Sequence, residues 1–202
     1  MPYNGGEINN VNLKYLLPSF IGMRKPLGRT DLEKIVDGLG LGIDVKIMDL
    51  VVAVNQYITT TASCEGHYDH GLKVPWIDVY DKEDNFSDLG KILESWNRSS
   101  KIPWVLYRYT RSEAKYTLER DAAKIAQNYK EDGVTMEYAR RACEDSLHTR
   151  RLAPMHRNNW PLEQDRDMVG YLEGNATGLI LEETQKEAGK LAKFLIERSA
   201  RC

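Results

Sequence analysis

The chain has 202 residues, with 28 lysines and arginines nearly balanced by 30 aspartates and glutamates. This balance excludes a global field that attracts polyanions or an acidic membrane, so binding to nucleic acid would need a local basic patch. No stretch approaches the ~20 apolar residues of a membrane span, and the start lacks a signal-peptide pattern, which predicts a cytoplasmic protein without a membrane partner. Three scattered cysteines predict reduced thiols.

Residues 13–120 predict an α+β domain whose elements follow the order helix, strand, strand, helix, strand, strand. Thr30 is expected to cap a short helix, and Asp44 a longer amphipathic one that runs to about Gln56. The next elements are expected at Tyr57–Thr61, at Val74–Tyr80, in a helix capped by Ser87, at Trp104–Thr110 and in a hairpin partner at Lys115–Leu118.

Residues 121–202 predict only helices and no further strand. Gly133 ends the first of these helices, Thr135 caps the second, and Pro161 opens the third. The long fourth helix has an apolar face formed by Leu181, Ala188, Leu191 and Leu195. This face is expected either to cover the site or to form a homo-oligomer interface.

The stretch Tyr57–His70, Y-I-T-T-T-A-S-C-E-G-H-Y-D-H, concentrates the polar and reactive side chains of the chain. Cys64, His67 and His70 are spaced three apart and offer the sulfur and imidazole ligands that zinc prefers. The spacing predicts a metal site whose fourth ligand comes from elsewhere in the chain. Candidates for that ligand are Asp69, Asp78, His148 and His156. In the alternative interpretation Cys64 is a small buried residue and His67 only holds the turn.

The same turn has a second interpretation as an anion site. Gly66 permits a positive φ, and consecutive backbone N–H groups, together with the hydroxyls of Ser63 and Thr59–Thr61, can hold a phosphate or carboxylate. His67 would complete this pocket, because its charge changes near neutral pH. In a third interpretation, Cys64 is a nucleophile with His67 as its base.

Basic residues interleave with tyrosines along the expected hairpin, where cations can hold phosphates while rings stack on bases. This pattern indicates either RNA binding or a solvated face. The residues are Arg108, Arg111, Lys115 and Arg120 with Tyr107, Tyr109 and Tyr116. A second basic group comprises Arg140, Arg141, Arg150, Arg151 and Arg157.

The stretch Gly42–His67 resembles the opening of the tRNA wybutosine-synthesizing methyltransferase family. That opening runs Ile-Asp, an amphipathic helix ending near Asn, and then Tyr-Thr-Thr-Ser-Ser-Cys-Ser-Gly-Arg leading into a strand. The matching residues are Ile43, Asp44, Leu50, Val51, Asn55, Thr59, Thr60, Ser63, Cys64 and Gly66. The chain departs from the family at Ala62, Glu65 and His67, where the family has serine, a small residue and arginine.

The resemblance implies an α+β fold and an S-adenosylmethionine-dependent methyltransferase that acts on a modified guanosine in tRNA. It therefore implies tRNA or a nucleotide as partner and S-adenosylmethionine as cofactor, with zinc as the lesser candidate. The ligand-binding residues would be Thr60, Ser63, Cys64, Glu65, Gly66 and His67. The alternative function is a non-catalytic binding or assembly module whose Cys/His turn is structural or binds zinc.

Overall fold

A computed structural model describes residues 28–35, 42–69, 72–81, 86–108, 115–131, 133–160 and 176–200, and these form the α+β fold that the sequence predicts. The helices are α1 (Arg29–Leu32), α2 (Val45–Val54), α3 (Ser87–Asn97), α4 (Lys115–Asn128), α5 (Met136–Leu147) and α6 (Leu181–Ser199). The strands are β1 (Thr59–Cys64), β2 (Trp76–Tyr80), β3 (Trp104–Arg108) and β4 (Thr149–Pro154), and a 3-10 helix covers Arg157–Asn159.

The four strands form one antiparallel sheet in the order β1-β2-β4-β3. Strand β4 therefore lies between β2 and β3, and the prediction that no strand follows residue 120 is wrong. The apolar part of β4 is short and follows Arg150 and Arg151, a pattern that resembles a charged connection. The hairpin strand expected at Lys115–Leu118 is also wrong, because α4 begins at Lys115.

The main core lies between one face of the sheet and helices α2, α3 and α6. Helix α6 packs against α2 and buries Ala188, Leu191 and Leu195 completely. Each leucine buried in this way contributes about 1.5 to 3 kcal/mol. The apolar face of α6 is thus covered within the chain by α2, and the Tyr57 hydroxyl adds a 2.7 Å hydrogen bond to the Leu195 carbonyl. The region 121–202 therefore supplies a strand and a helix to the same core as 13–120.

The other face of the sheet carries a smaller apolar cluster. Successive residues of β4 are buried on opposite faces of the sheet, because Leu152 belongs to the main core whereas Ala153 belongs to this second cluster. Tyr107 on β3 and Met155 after β4 complete its buried part together with Val74 and Ala176. Both faces of the sheet centre are therefore covered.

Helices α4 and α5 form a hairpin with a small core of their own, made by Ala122, Ala139 and Cys143. Thr135 caps α5 as the sequence predicts, since its hydroxyl oxygen accepts a 3.1 Å hydrogen bond from the Tyr138 N–H. The capping oxygen satisfies a backbone donor that would otherwise lack a partner at the helix start.

Two other predictions for helices have different outcomes. Thr30 lies inside α1, whose N-cap residue is Gly28, so Thr30 does not cap this helix. The helix expected to start at Pro161 lies outside the described residues. Among the described helices, none combines the length and the apolar composition required to cross a membrane.

Candidate functional site

The polar motif, which is the Ser63–His67 part of the stretch Tyr57–His70, lies where β1 ends, next to the start of α2. Residues 55–58 turn the chain sharply after α2, so that β1 runs back along the helix. The nine steps between the residues of α2 rise about 14 Å, and the five steps of β1 span about 17 Å. The two lengths differ by only about 3 Å, and the hydrogen bond from the Glu65 N–H to Asp44 shows that the end of β1 returns to the start of α2.

Two carboxylates join the motif to the helix N-terminus. The Glu65 N–H donates a 3.0 Å hydrogen bond to Asp44 Oδ2, and the carboxylate of Glu65 accepts a 3.4 Å hydrogen bond from the Lys46 N–H. Asp44 is the N-cap residue, as predicted, but its side chain does not cap its own helix. Glu65 takes that role from the neighbouring turn, and a negative charge there also complements the helix dipole.

The turn after Cys64 depends on Gly66. This residue is buried with φ of +82°, and a Cβ atom placed on it would lie 2.7 Å from the backbone carbon of Val74 and from Leu181 Cδ1. Only glycine fits such a backbone without strain. The turn then closes through a 3.1 Å hydrogen bond from the His67 N–H to the Leu72 carbonyl.

Helix α6 holds the turn from outside. The side-chain amide of Gln185 donates a 2.9 Å hydrogen bond to the Glu65 carbonyl, and the Tyr68 hydroxyl donates a 2.7 Å bond to Glu182. These contacts join residues more than a hundred positions apart in the sequence. The motif is therefore held between the first turns of two helices.

This arrangement brings Asp44, Cys64 and His67 together. One ligand atom from each, a carboxylate oxygen, a sulfur and a ring nitrogen, lies within 4.8 Å of the other two. In a tetrahedral zinc site such atoms lie about 3.3 to 3.7 Å apart, so the upper limit of 4.8 Å is above the spacing that a bound ion requires. The three donors belong to the types that zinc binds.

The Cys64 thiol is held in its neutral form. Burial raises its pKa above the ordinary 9.0, and the carboxylates of Asp44 and Glu65 raise it further, whereas the Gly66 N–H, 3.3 Å from the sulfur, lowers it. Cys64 therefore lacks the low thiol pKa of an activated nucleophile, which weakens the interpretation of Cys64 as a nucleophile with His67 as base. A cation between sulfur and carboxylate would remove the repulsion that now disfavours the thiolate.

The structure separates the other proposed metal ligands from this cluster. Asp78 is buried on β2 and forms a bidentate ion pair with Arg151 at 2.7 and 2.8 Å. His148 follows α5 and packs edge-on against a tyrosine ring, while Nδ1 of His156 accepts a hydrogen bond from Asn158. Among the described residues, the metal-ligand grouping contains none of these three side chains.

Two further proposed ligands have separate outcomes. Asp69 is described but is not a member of the cluster. His70 lies outside the described residues, so its predicted role as a ligand stays a prediction. Asp44 was expected only to position α2, and the structure adds it as a third donor beside Cys64 and His67.

The backbone N–H groups that the anion-site interpretation requires already donate hydrogen bonds within the protein. The N–H groups of Glu65, Gly66 and His67 donate to Asp44, to the Cys64 sulfur and to a backbone carbonyl, respectively. A phosphate in this turn would have to displace these bonds and would face two carboxylates. The N–H groups of the turn therefore serve neighbouring residues, and the side chains around it suit a cation rather than an anion.

Thr60 and Ser63 are presented by the edge strand β1. Thr60 pairs with Val79 of β2, and its N–H lies 3.4 Å from the Asn55 side-chain oxygen. Ser63 pairs with Ile77, after a bulge in the register between Thr60 and Ala62. The bulge re-aims this part of the strand, but neither hydroxyl belongs to the Asp44–Cys64–His67 cluster.

The structure also corrects the proposed basic surfaces. Arg150 and Arg151 are buried on β4, where their guanidinium groups lie 4.6 Å from the Phe86 ring and 3.7 Å from the Trp76 ring, measured to the ring centroids. Tyr107 is buried in the second cluster and cannot stack on bases. These three side chains are therefore not exposed for RNA binding as the sequence pattern predicted.

Comparison of the chain with protein families, with curated proteins and with solved structures finds no match. The site is consequently interpreted from its own geometry.

Proposed function

We propose that the chain binds a divalent transition-metal ion, with zinc as the first candidate, through Asp44, Cys64 and His67. The observation that carries this proposal is the convergence of one oxygen, one sulfur and one nitrogen donor within 4.8 Å. Oxygen donors alone would favour magnesium or calcium, whereas thiolate and imidazole favour zinc and its neighbours. This function refines the predicted binding module by adding Asp44 to the expected ligands Cys64 and His67.

The surrounding hydrogen bonds suit a bound cation. The Gly66 N–H points to the Cys64 sulfur, and the Glu65 N–H fixes one oxygen of Asp44. Such outer hydrogen bonds orient the donors and stabilise their negative charge. Among the described residues three donors converge, so a fourth position is left for His70, which lies outside them, or for water. Water in that position would give the arrangement of zinc sites that act on a substrate.

The test is zinc titration of the metal-free protein, with cobalt as an optical probe of sulfur ligation. We expect one ion per chain, and we expect Cys64→Ser and Asp44→Asn to weaken binding by about 100-fold. Matched controls are Cys143→Ser, a cysteine in the α4–α5 hairpin, and Asp49→Asn, an exposed aspartate on α2. Equal zinc binding by Cys64→Ser and the wild type would refute the site.

The second candidate is an S-adenosylmethionine-dependent RNA methyltransferase, as the resemblance implies. It is supported by the contiguity of the matching residues, since Asp44, Cys64 and Gly66 belong to one hydrogen-bonded unit. Calorimetric titration with S-adenosylmethionine, with and without zinc, tests it. Saturable binding that weakens in His67→Ala would justify assays on tRNA, and no heat at high cofactor concentration would end this hypothesis while leaving the metal site intact.

A further inference from the structure

A second concave site shares no lining residue with the metal-ligand cluster. It has a volume of about 460 Å³ and is lined by residues 98–102 after α3, by residues 156 and 157 after β4, and by residues 178–180 and 183 at the start of α6. This volume falls within the roughly 300 to 1,000 Å³ typical of small-molecule sites. Three segments that are distant in sequence therefore form one pocket.

The lining of this pocket is cationic. Its eleven residues include Arg98, Lys101 and Arg157 but only one carboxylate, that of Glu183, and Arg98 also lies 3.4 Å from Glu94, which is not a lining residue. The chain as a whole has a net charge of −2, so this excess is local. A concave surface that concentrates positive charge raises the local concentration of anions.

Two donors of the lining, the exposed Arg157 and the half-buried His156, are held in place. The Arg157 guanidinium donates to the Asn97 carbonyl at the end of α3 and lies 4.8 Å from the Trp160 ring centroid. Nδ1 of His156 accepts a hydrogen bond from the Asn158 N–H, which leaves Nε2 as the donor of the neutral ring. Fixed donors lose little conformational freedom when a ligand binds.

Lys101 is the donor that can change partners. Its ammonium group lies 3.3 Å from Glu183, and both side chains are largely exposed, at 75% and 46%. An ion pair of this exposure is worth only about 0 to 1 kcal/mol. An incoming dianion can therefore take Lys101 from Glu183 at little cost.

The start of helix α6 also contributes to the field in the pocket. Its N-cap residue Ile180 provides no side-chain cap, so the positive end of a 19-residue helix acts there, beside the carboxylates of Glu182 and Glu183 in the first turn.

We propose that this pocket binds the phosphate group of a small phosphate monoester. Arg157 and Lys101 provide the charge-assisted bonds, the His156 ring adds a neutral donor, and the remaining volume accommodates the organic part. With three cations and the carboxylate of Glu183, the lining has a formal charge of +2, which matches the two negative charges of a phosphate monoester better than the single charge of a carboxylate. The pocket and the metal-ligand cluster share no residue, so either proposal can fail without the other.

The experiment is calorimetric titration of the full chain, in low-salt chloride buffer, with inorganic phosphate and with ribose 5-phosphate against ribose. We expect a Kd of about 1 mM or tighter for both phosphates and no binding of ribose. Lys101→Gln should weaken phosphate binding about tenfold, because one charge-assisted bond is lost. The matched control is Lys91→Gln, which removes an equally exposed lysine on α3.

Several outcomes would overturn the proposal. They are the absence of saturable phosphate binding, equal weakening by Lys101→Gln and Lys91→Gln, or tight binding of a single-stranded RNA that inorganic phosphate does not displace. Phosphate binding by Arg157→Gln provides a second test. Thermal unfolding must first show that this variant is folded, because Arg157 also donates a hydrogen bond to the end of α3. A folded Arg157→Gln variant that binds phosphate as the wild type does would also contradict the site.

Discussion

Replacing Gly66 with alanine tests whether the turn geometry creates the metal-ligand cluster. The substitution adds one methyl group and changes no charge, so its effects come from backbone conformation and from space. At φ of +82° an L-residue costs about 1 to 2 kcal/mol. The new Cβ would also lie 2.7 Å from the backbone carbon of Val74 and 3.0 Å from the backbone nitrogen of Pro75.

Those contacts with the backbone cannot be relieved by rotating a side chain. Overpacking of this kind costs about 1 to 3 kcal/mol, so we expect Gly66→Ala to lower the free energy of unfolding by about 2 to 5 kcal/mol in total. Gly133 is a matched control, because its φ is +78° and an added Cβ meets nothing within 4 Å. Gly133→Ala should therefore show only the conformational cost, about 1 to 2 kcal/mol.

The assay is urea unfolding of both variants, followed by circular dichroism, together with a zinc titration of each folded protein. We expect Gly66→Ala to bind zinc more weakly, because the shifted backbone moves His67 away from Cys64 and Asp44. Gly133→Ala should bind zinc as the wild type does. If Gly66→Ala costs no more stability than Gly133→Ala, the packing around the turn is not as described, and the reasoning fails.

Two other predictions concern charge. Asp78→Asn leaves the buried guanidinium of Arg151 without its counter-ion, so the free energy of unfolding should fall by about 3 to 5 kcal/mol. The control Asp88→Asn, at the exposed start of α3, should change the free energy of unfolding by about 0.5 kcal/mol or less. Similar values for both variants would contradict the burial of the pair. Alkylation of Cys64, measured in a chain without Cys143 and Cys202, should accelerate about tenfold per pH unit up to a midpoint above 9.0, because the pKa of the thiol is raised. The raised pKa also means that the stability contributed by the neutral thiol is complete below pH 9.0 and is lost as the pH rises through the higher pKa of the folded state. Zinc should suppress the alkylation. An alkylation midpoint below pH 9.0 in metal-free protein would refute this account.

Sequence periodicity was sufficient to predict the helices that define the main core. Helix α2 buries Ile47, Leu50 and Val54, and α6 buries Leu191 and Leu195, because apolar residues every three or four positions lie on one helical face. Strands β2 and β3 also lie within the expected stretches, whereas β1 overlaps the expected Tyr57–Thr61 only in part and continues to Cys64. In each of these elements the local pattern and the tertiary environment agree.

Strand β4 could not be predicted in the same way, because arginine usually indicates an exposed segment whereas the two arginines of β4 are buried. Arg150 and Arg151 are buried at 7% and 9% exposure, which is rare for charged residues. Arg151 is tolerated through the Asp78 carboxylate and the Trp76 ring, both on the neighbouring strand β2. Partners that are more than seventy residues away leave no local signal in the sequence.

The proximity of Asp44 to the end of β1 could have been predicted from element lengths. A ten-residue helix and a six-residue strand cover similar distances, so a sharp turn between them brings the strand end back near the helix start. The expected helix end near Gln56 and the early strand start at Tyr57 obscured this match. With the observed bounds, Cys64 lies opposite Asp44 and the pairing follows.

The proposed metal site requires the whole fold, because its three donors come from two elements that a third holds in place. Asp44 starts α2, whereas Cys64 and His67 follow β1, and α6 fixes the turn through the bond from Gln185 to the Glu65 carbonyl. An unfolded chain has no such arrangement, so zinc should bind the native state almost exclusively. Binding of this kind stabilises the fold by about 2.7 kcal/mol when free zinc is 100 times its Kd. Because α6 lies at the far end of the sequence, metal affinity reports on the docking of the last helix as well as on the three donors.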